Sequence, residues 1–142
     1  MPYDNSVNTA KGRLFQEQAC RALTKRYGIE FLKDYPVQIG NPPKEHKFDL
    51  VSKDGKYIAE CKCYTWTETG NIPDAKMAKC DQTILYLTHA PAKSRKLLVM
   101  KKDLRPSKEE TLAKYYKRTH HHLIEDITIV EFDPKTQFLT EV

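Results

Sequence analysis

The chain has 142 residues, of which 39% are hydrophobic and 30% charged, as is ordinary for a water-soluble globular protein of one domain, here 1–142. No apolar run approaches the roughly 20 residues needed to cross a bilayer, and the polar start from Met1 to Thr9 lacks a signal-peptide core, so we expect no membrane association and a cytoplasmic location. The net charge of +5 at pH 7 favours a polyanionic partner such as nucleic acid, although many basic proteins bind nothing acidic.

A long helix and three strands are predicted in the first half of the chain. The helix should begin near Asn8 or Thr9, either of which can cap it, and end at Tyr27 before Gly28. Alternating apolar residues and turn signals then predict three strands, at 35–39, 46–52 and 56–64.

The second half alternates helices with apolar runs. A short helix is predicted at 74–80, and the continuous apolar runs at 84–87 and 96–101 indicate strands that are covered on both faces. Ser107 and Glu110 are predicted to form a capping box for a helix that reaches His120. Apolar residues alternate at 127–132 and predict a final strand. The element order predicts an α/β domain with helices around a central mixed sheet.

Two carboxylates are expected to meet on the hairpin that turns at Asp54-Gly55. Pairing about this turn places residues whose numbers sum to about 109 opposite each other, so Asp49 should lie opposite Glu60. Lys62 follows two residues later on the same face of the strand, because side chains alternate along a strand.

Facing carboxylates repel each other, and a divalent cation would remove that repulsion. Magnesium binds one or two carboxylates and leaves positions for water and phosphate, while a nearby lysine can stabilise charge on a phosphate. The alternative is an inert, exposed and charged hairpin. The apolar neighbours Phe48, Leu50 and Ile58 argue against that alternative, because they imply burial, and unpaired buried carboxylates are costly.

The motif formed by Asp49 and Glu60-Cys61-Lys62 resembles that of the PD-(D/E)XK nuclease superfamily, which has the restriction-endonuclease-like fold. The resemblance covers Lys11 to about Met100 and implies an αβββαβ core, followed here by a further strand, helix and strand. It also implies metal binding by Asp49, Glu60 and the backbone carbonyl of Cys61, with Lys62 catalytic. The implied cofactor is Mg²⁺, with Mn²⁺ able to substitute. Phe48 replaces the proline of the motif name.

Many members of that superfamily carry a glutamate on the first helix in a Gly-x-x-Phe-Glu context. Here Gly12 and Phe15 are followed by Gln16 and then Glu17. Strict register places Gln16 at the family's position, whereas Glu17 is the nearest carboxylate. We take Glu17 as the candidate catalytic residue of this helix. The alternative is that Glu17 is only a solvated charge on the helix surface.

Three further residues are candidates for contact with nucleic acid. Lys76 begins the helix after the motif, and Arg13 lies on the charged face of the first helix. Trp66 could stack on a base or pack at the rim of the core.

The sequence thus predicts a Mg²⁺-dependent endonuclease-type hydrolase of DNA, with a homodimer or a partner protein helping to select the substrate. One alternative is a catalytically silent nucleic-acid-binding or assembly module with the same fold. Another is a zinc hydrolase that uses the cysteines and the run from His120 to His122. Three consecutive helical residues point about 100° apart and cannot all ligate one ion, and the four cysteines lack zinc-site spacing.

Overall fold

The computed structural model describes residues 5–107 and 109–142 and contains three helices and six strands within them. The alternation of helix-forming and strand-forming segments gives an α/β architecture. The elements in chain order are α1 (Asn5–Tyr27), β1 (Phe31–Ile39), β2 (Lys44–Ser52), β3 (Tyr57–Lys62), α2 (Asp74–Thr88), β4 (Arg95–Lys101), α3 (Leu112–His120), β5 (Thr128–Asp133) and β6 (Phe138–Glu141).

The six strands form one mixed sheet in the order β1-β2-β3-β4-β5-β6. The three central strands β3, β4 and β5 are parallel, and the outer pairs β1–β2, β2–β3 and β5–β6 are antiparallel. Crossover helices α2 and α3 join the parallel strands, as a parallel connection requires. The predicted mixed sheet is therefore confirmed.

Helices cover both faces of this sheet. On one face, α1 packs Phe15, Ala19 and Leu23 into a core with Leu50 and Leu97. On the other face, α2 and α3 build a second core, which is the larger of the two in the described chain. Its members include Phe48, Ile58, Met77, Leu87, Leu98, Leu112 and Tyr116.

The β2–β3 hairpin has the predicted register. Leu50 pairs with Ala59 and Val51 with Ile58, so the paired numbers sum to 109. The turn is closed by Gly55 at φ 75°, a backbone conformation that favours glycine. The Ser52 hydroxyl donates a hydrogen bond to the Asp54 carboxylate at 2.8 Å and so fixes the turn.

The strand predicted at 84–87 is wrong, because these residues form the second half of α2. Buried positions recur at helical spacing through Met77, Cys80, Ile84 and Leu87, whereas Leu85 is 60% exposed. In a strand, residues 85 and 87 would share a face. A short apolar run cannot separate a buried strand from a buried helix, and the longer helical period decides between them.

Several element ends also differ from prediction. Helix α1 begins at Asn5, so Asn8 and Thr9 lie inside it and do not cap it. Helix α3 is capped by Thr111, whose hydroxyl accepts the Lys114 amide at 3.2 Å, and the predicted capping box at Ser107 and Glu110 is not used.

The strands show corresponding differences. Strand β1 begins four residues before the predicted position 35, and β3 ends at Lys62 and does not reach 64. Strand β6 was not predicted. After the αβββαβ core we expected a strand, a helix and a strand, whereas the structure has a helix followed by two strands. Among the described residues, no helix combines the length and apolarity that a membrane crossing requires.

Candidate active site

The candidate site lies where β2 and β3 stop pairing with each other. The paired residues of this hairpin end at Leu50 and Ala59, and beyond them β3 continues its pairing only with β4, through Glu60, Cys61 and Lys62. In place of a strand carbonyl, the Asp49 carboxylate accepts the Cys61 amide at 2.8 Å. The Asp49 side chain is therefore held between the two strands.

Glu60 is almost completely buried beside Asp49, with 7% of its surface exposed. Burial raises the pKa of the Glu60 carboxyl well above its usual range, and a hydrogen bond and the charge of Asp49 raise it further. The charge of Lys62 opposes this shift in the Glu60 pKa. The three residues predicted from the motif are thus brought together, and the two acids compete to remain ionised.

His46 is a member of this cluster that sequence reasoning missed. Its Nε2 lies 3.3 Å from Oε1 of Glu60, and its ring stacks on Tyr86 of α2 with centroids 4.0 Å apart. Burial lowers the pKa of His46, while the charge of Asp49 raises it and that of Lys62 lowers it. The hairpin register would place residue 49, and not residue 46, opposite Glu60. The imidazole of His46 reaches Glu60 beyond the point where the β2–β3 pairing ends.

The first helix contributes Gln16 and not Glu17. The Gln16 amide donates to the Asp49 carbonyl at 2.8 Å and to the Asp34 carboxylate at 3.1 Å, so it anchors the strand at Asp49. Glu17 is half-exposed and pairs with Lys33 at 3.3 Å. The structure therefore does not bring Glu17 to the acids, which fits the solvated-charge alternative, and it places Gln16 at the position that strict register gives.

A cleft of about 560 Å³ opens at the carboxyl end of β3, where Cys61 and Lys62 line it but Asp49 and Glu60 do not. Three lysines line it, one from each of α1, β3 and α2: Lys11, Lys62 and Lys76. The ammonium groups of Lys62 and Lys76 lie 5.9 and 5.2 Å from the centre of the Tyr64 ring. The Tyr64 hydroxyl, like that of any tyrosine with a pKa of 10 or above, is protonated at neutral pH and can donate a hydrogen bond, and burial raises its pKa further, to about 12. The cleft therefore offers cations and a donor to an anionic ligand.

The other predicted contact residues have different positions. Arg13 is exposed on α1 and is not among the residues that line the cleft. Trp66 lines the cleft but is only 5% exposed, and its indole N–H donates to the Asp103 carbonyl at 3.0 Å. The Arg105 guanidinium lies 4.5 Å from the centre of the Trp66 ring. These contacts favour the packing role of Trp66 over base stacking.

The donor set at the site suits a hard cation better than a soft one. Within the part of the chain that the structure describes, no three or more His, Cys, Asp and Glu side chains are grouped to hold a metal ion. A metal here would rely on Asp49, Glu60 and a backbone carbonyl, and one or two carboxylates with water is the arrangement magnesium accepts. Burial and the neighbouring Asp49 oppose ionisation of Glu60, and a divalent cation would favour the ionised form of both carboxylates.

The histidines and cysteines give no support to a zinc site. His120 lies at the end of α3, where its Nε2 is 3.1 Å from the Asp81 carboxylate and its ring stacks on Tyr116. All four cysteines are free, and Cys61 and Cys63 pack toward the α1 face.

Comparisons of the chain with protein-family models, with curated proteins and with solved structures found no match. The resemblance to the PD-(D/E)XK superfamily therefore stays a prediction, which rests on the chain's own residues. Those residues are Asp49, Glu60 and Lys62, at the end of a hairpin in a mixed sheet.

Proposed function

We propose that this chain is a Mg²⁺-dependent nuclease-type domain with a restriction-endonuclease-like fold, which hydrolyses phosphodiester bonds in DNA. One observation carries the proposal. Two carboxylates, Asp49 and Glu60, interact directly with each other, and the lysine whose charge acts on Glu60, Lys62, also lines the lysine-lined cleft.

Asp49 and Glu60 would hold the cation together with the Cys61 carbonyl. When bound, the ion supplies Lewis acidity at the phosphodiester and favours attack by water. The Cys61 amide and Gln16 hold the Asp49 side chain and backbone in place, which keeps one ligand oriented. His46 contacts the Glu60 oxygen and limits the positions that the second carboxylate can take.

Lys62 has a second role, in the charge balance of the reaction. It lies on the same face of β3 as Glu60 and lines the cleft, so its ammonium can contact both the acids and a phosphate. A positive group placed there favours the ionised carboxylates and stabilises the negative charge that develops on phosphate oxygens. Lys11 and Lys76 would hold the same DNA strand by contact with phosphates next to the one that is cleaved.

The test is incubation of purified protein with circular and linear DNA in the presence of Mg²⁺ or Mn²⁺. We expect cleavage by the wild type and a loss of roughly 100-fold or more in Asp49→Asn, Glu60→Gln and Lys62→Gln, because each removes a charge needed in the transition state. Glu17→Gln and Lys53→Gln remove exposed charges of the same kinds outside the site and should retain activity. Equal activity in all five variants would reject the proposal.

A silent nucleic-acid-binding or assembly module is the second candidate, and Gln16 favours it. An amide replaces the carboxylate that many members of the superfamily carry on the first helix, which leaves fewer ligands for a metal. Titration calorimetry separates the two candidates. Mg²⁺ binding that is lost in Asp49→Ala supports the nuclease, whereas DNA binding without any Mg²⁺ affinity supports the module.

A further inference from the structure

A second basic cleft lies beside the first, at the carboxyl ends of β4 and β5. It has a volume of about 460 Å³, and its charged lining consists of three lysines and two aspartates. The lysines are Lys101, Lys102 and Lys135. Neither the motif nor the proposed metal site uses any of them.

The two aspartates of this cleft are already engaged by backbone amides. Asp103 accepts the Trp66 amide at 2.9 Å, and Asp133 accepts the Lys135 amide at 2.9 Å. Among the described residues, none of the three lysines has a carboxylate within ion-pair distance, and Lys102 and Lys135 are exposed. The cleft therefore has cationic groups that no side chain neutralises by direct pairing.

The two clefts lie next to each other at Cys63 and Lys101. Lys62 pairs with Met100 across β3 and β4, so the residues that follow them, Cys63 of the first cleft and Lys101 of the second, are neighbours. Because β3, β4 and β5 are parallel, their carboxyl ends meet at one edge of the sheet. Neighbouring strands are about 4.8 Å apart, so roughly 10 Å separates the end of β3 from that of β5.

We propose that these lysines form a phosphate track, defined as Lys11, Lys62, Lys76, Lys101, Lys102 and Lys135, that binds one sugar–phosphate backbone of DNA across the carboxyl edge of the sheet. The proposal rests on the proposed function in that the track leads DNA to Asp49 and Glu60. It adds that binding is independent of base sequence. Lysines commonly contact DNA at its phosphates, and the second cleft is not lined by Arg, Asn or Gln, which read base edges through paired hydrogen bonds.

The test uses binding of a short, fluorescently labelled DNA duplex in EDTA, where no cleavage can occur, over a series of salt concentrations. Each phosphate contact contributes about 0.9 to the slope of log K against log salt. The triple variant Lys101→Gln, Lys102→Gln, Lys135→Gln should bind more weakly and lose about 2 to 3 from that slope. Scrambling the DNA sequence should leave the affinity of the wild type unchanged.

The matched control changes three exposed lysines near the amino ends of β3 and β4, at the opposite edge: Lys53→Gln, Lys56→Gln, Lys93→Gln. Both triple variants have the same net charge, so an equal loss of slope in both would reject the track. A clear dependence on base sequence would also overturn it. The binding assay contains no metal and therefore does not depend on nuclease activity. If only the first triple variant loses slope and the wild type does not cleave DNA in Mg²⁺, the track is supported and the proposed function is rejected.

Discussion

Glu60 combines two features that oppose each other in the folded protein, a carboxyl group and an almost completely buried position. Its burial and the neighbouring Asp49 raise its pKa, so the folded protein keeps a proton that the unfolded chain releases near pH 4. Between those two pKa values the folded state binds more protons, so the free energy of unfolding must fall as pH rises. The site thus costs stability at neutral pH when no cation is bound.

Glu60→Gln should remove that cost, because the amide has no charge to bury. In EDTA we expect the variant to have a higher Tm than the wild type at pH 8, by about 3 °C or more, and the difference should vanish toward pH 4. Thermal unfolding followed by circular dichroism measures this. Glu17→Gln serves as the control, since Glu17 is half-exposed, and a gain of the same size there would contradict the explanation.

Gln16 is expected to act as a positioning residue, because it contacts the backbone of Asp49 and does not line the lysine-lined cleft. Gln16→Ala removes two hydrogen bonds and should lower the free energy of unfolding by about 1 kcal/mol. It should also weaken Mg²⁺ binding in calorimetry, because Asp49 loses an anchor. Gln18→Ala changes the same residue type on the same helix, and comparable losses there would mean that Gln16 has no special role.

Helix α2 connects the site to the core at the level of secondary structure. Its Tyr86 supports the His46 ring, while Met77, Cys80 and Leu87 are buried against the sheet. Its amino-terminal end also carries Lys76 into the lysine-lined cleft. One helix therefore positions both the imidazole that contacts Glu60 and an ammonium group that lines the cleft.

Leu85 and Leu87 provide a direct test of the helix. Leu87 is completely buried and Leu85 is 60% exposed, although a strand would place both on one face. Leu87→Ala should lower the free energy of unfolding by about 2–5 kcal/mol, whereas Leu85→Ala should change it by less than about 0.5 kcal/mol. Urea unfolding of both variants measures the two changes. Similar losses of unfolding free energy in both would contradict the helix and support a strand at 84–87.

At the scale of the whole molecule, binding of a cation at the site should be coupled to folding. A ligand that binds only the folded state at 100 times its Kd adds about 2.7 kcal/mol to the free energy of unfolding. We expect the Tm of the wild type and of Glu17→Gln to rise with Mg²⁺ and that of Asp49→Asn to stay constant. A rise of equal size in Asp49→Asn would place the ion elsewhere.

The sequence alone determined the features that depend on neighbouring residues along the chain. The Asp54-Gly55 turn fixed the register of the hairpin, and alternation along β3 placed Glu60 and Lys62 on one face. These predictions succeed because turn geometry and side-chain alternation are set by local backbone conformation. The order of α1, the three strands and α2 was predictable for the same reason, although the strand predicted at 84–87, between α2 and β4, belongs to α2.

Only the tertiary structure decided which side chains reach the site. His46 reaches Glu60 because the β2–β3 pairing ends at Leu50. Gln16 reaches the Asp49 carbonyl because α1 packs against this part of the sheet. The apolar run at 84–87 became helix because burial of Ile84 and Leu87 against the sheet follows a helical period. Contacts between elements that are distant in sequence depend on packing, and local periodicity carries no information about them.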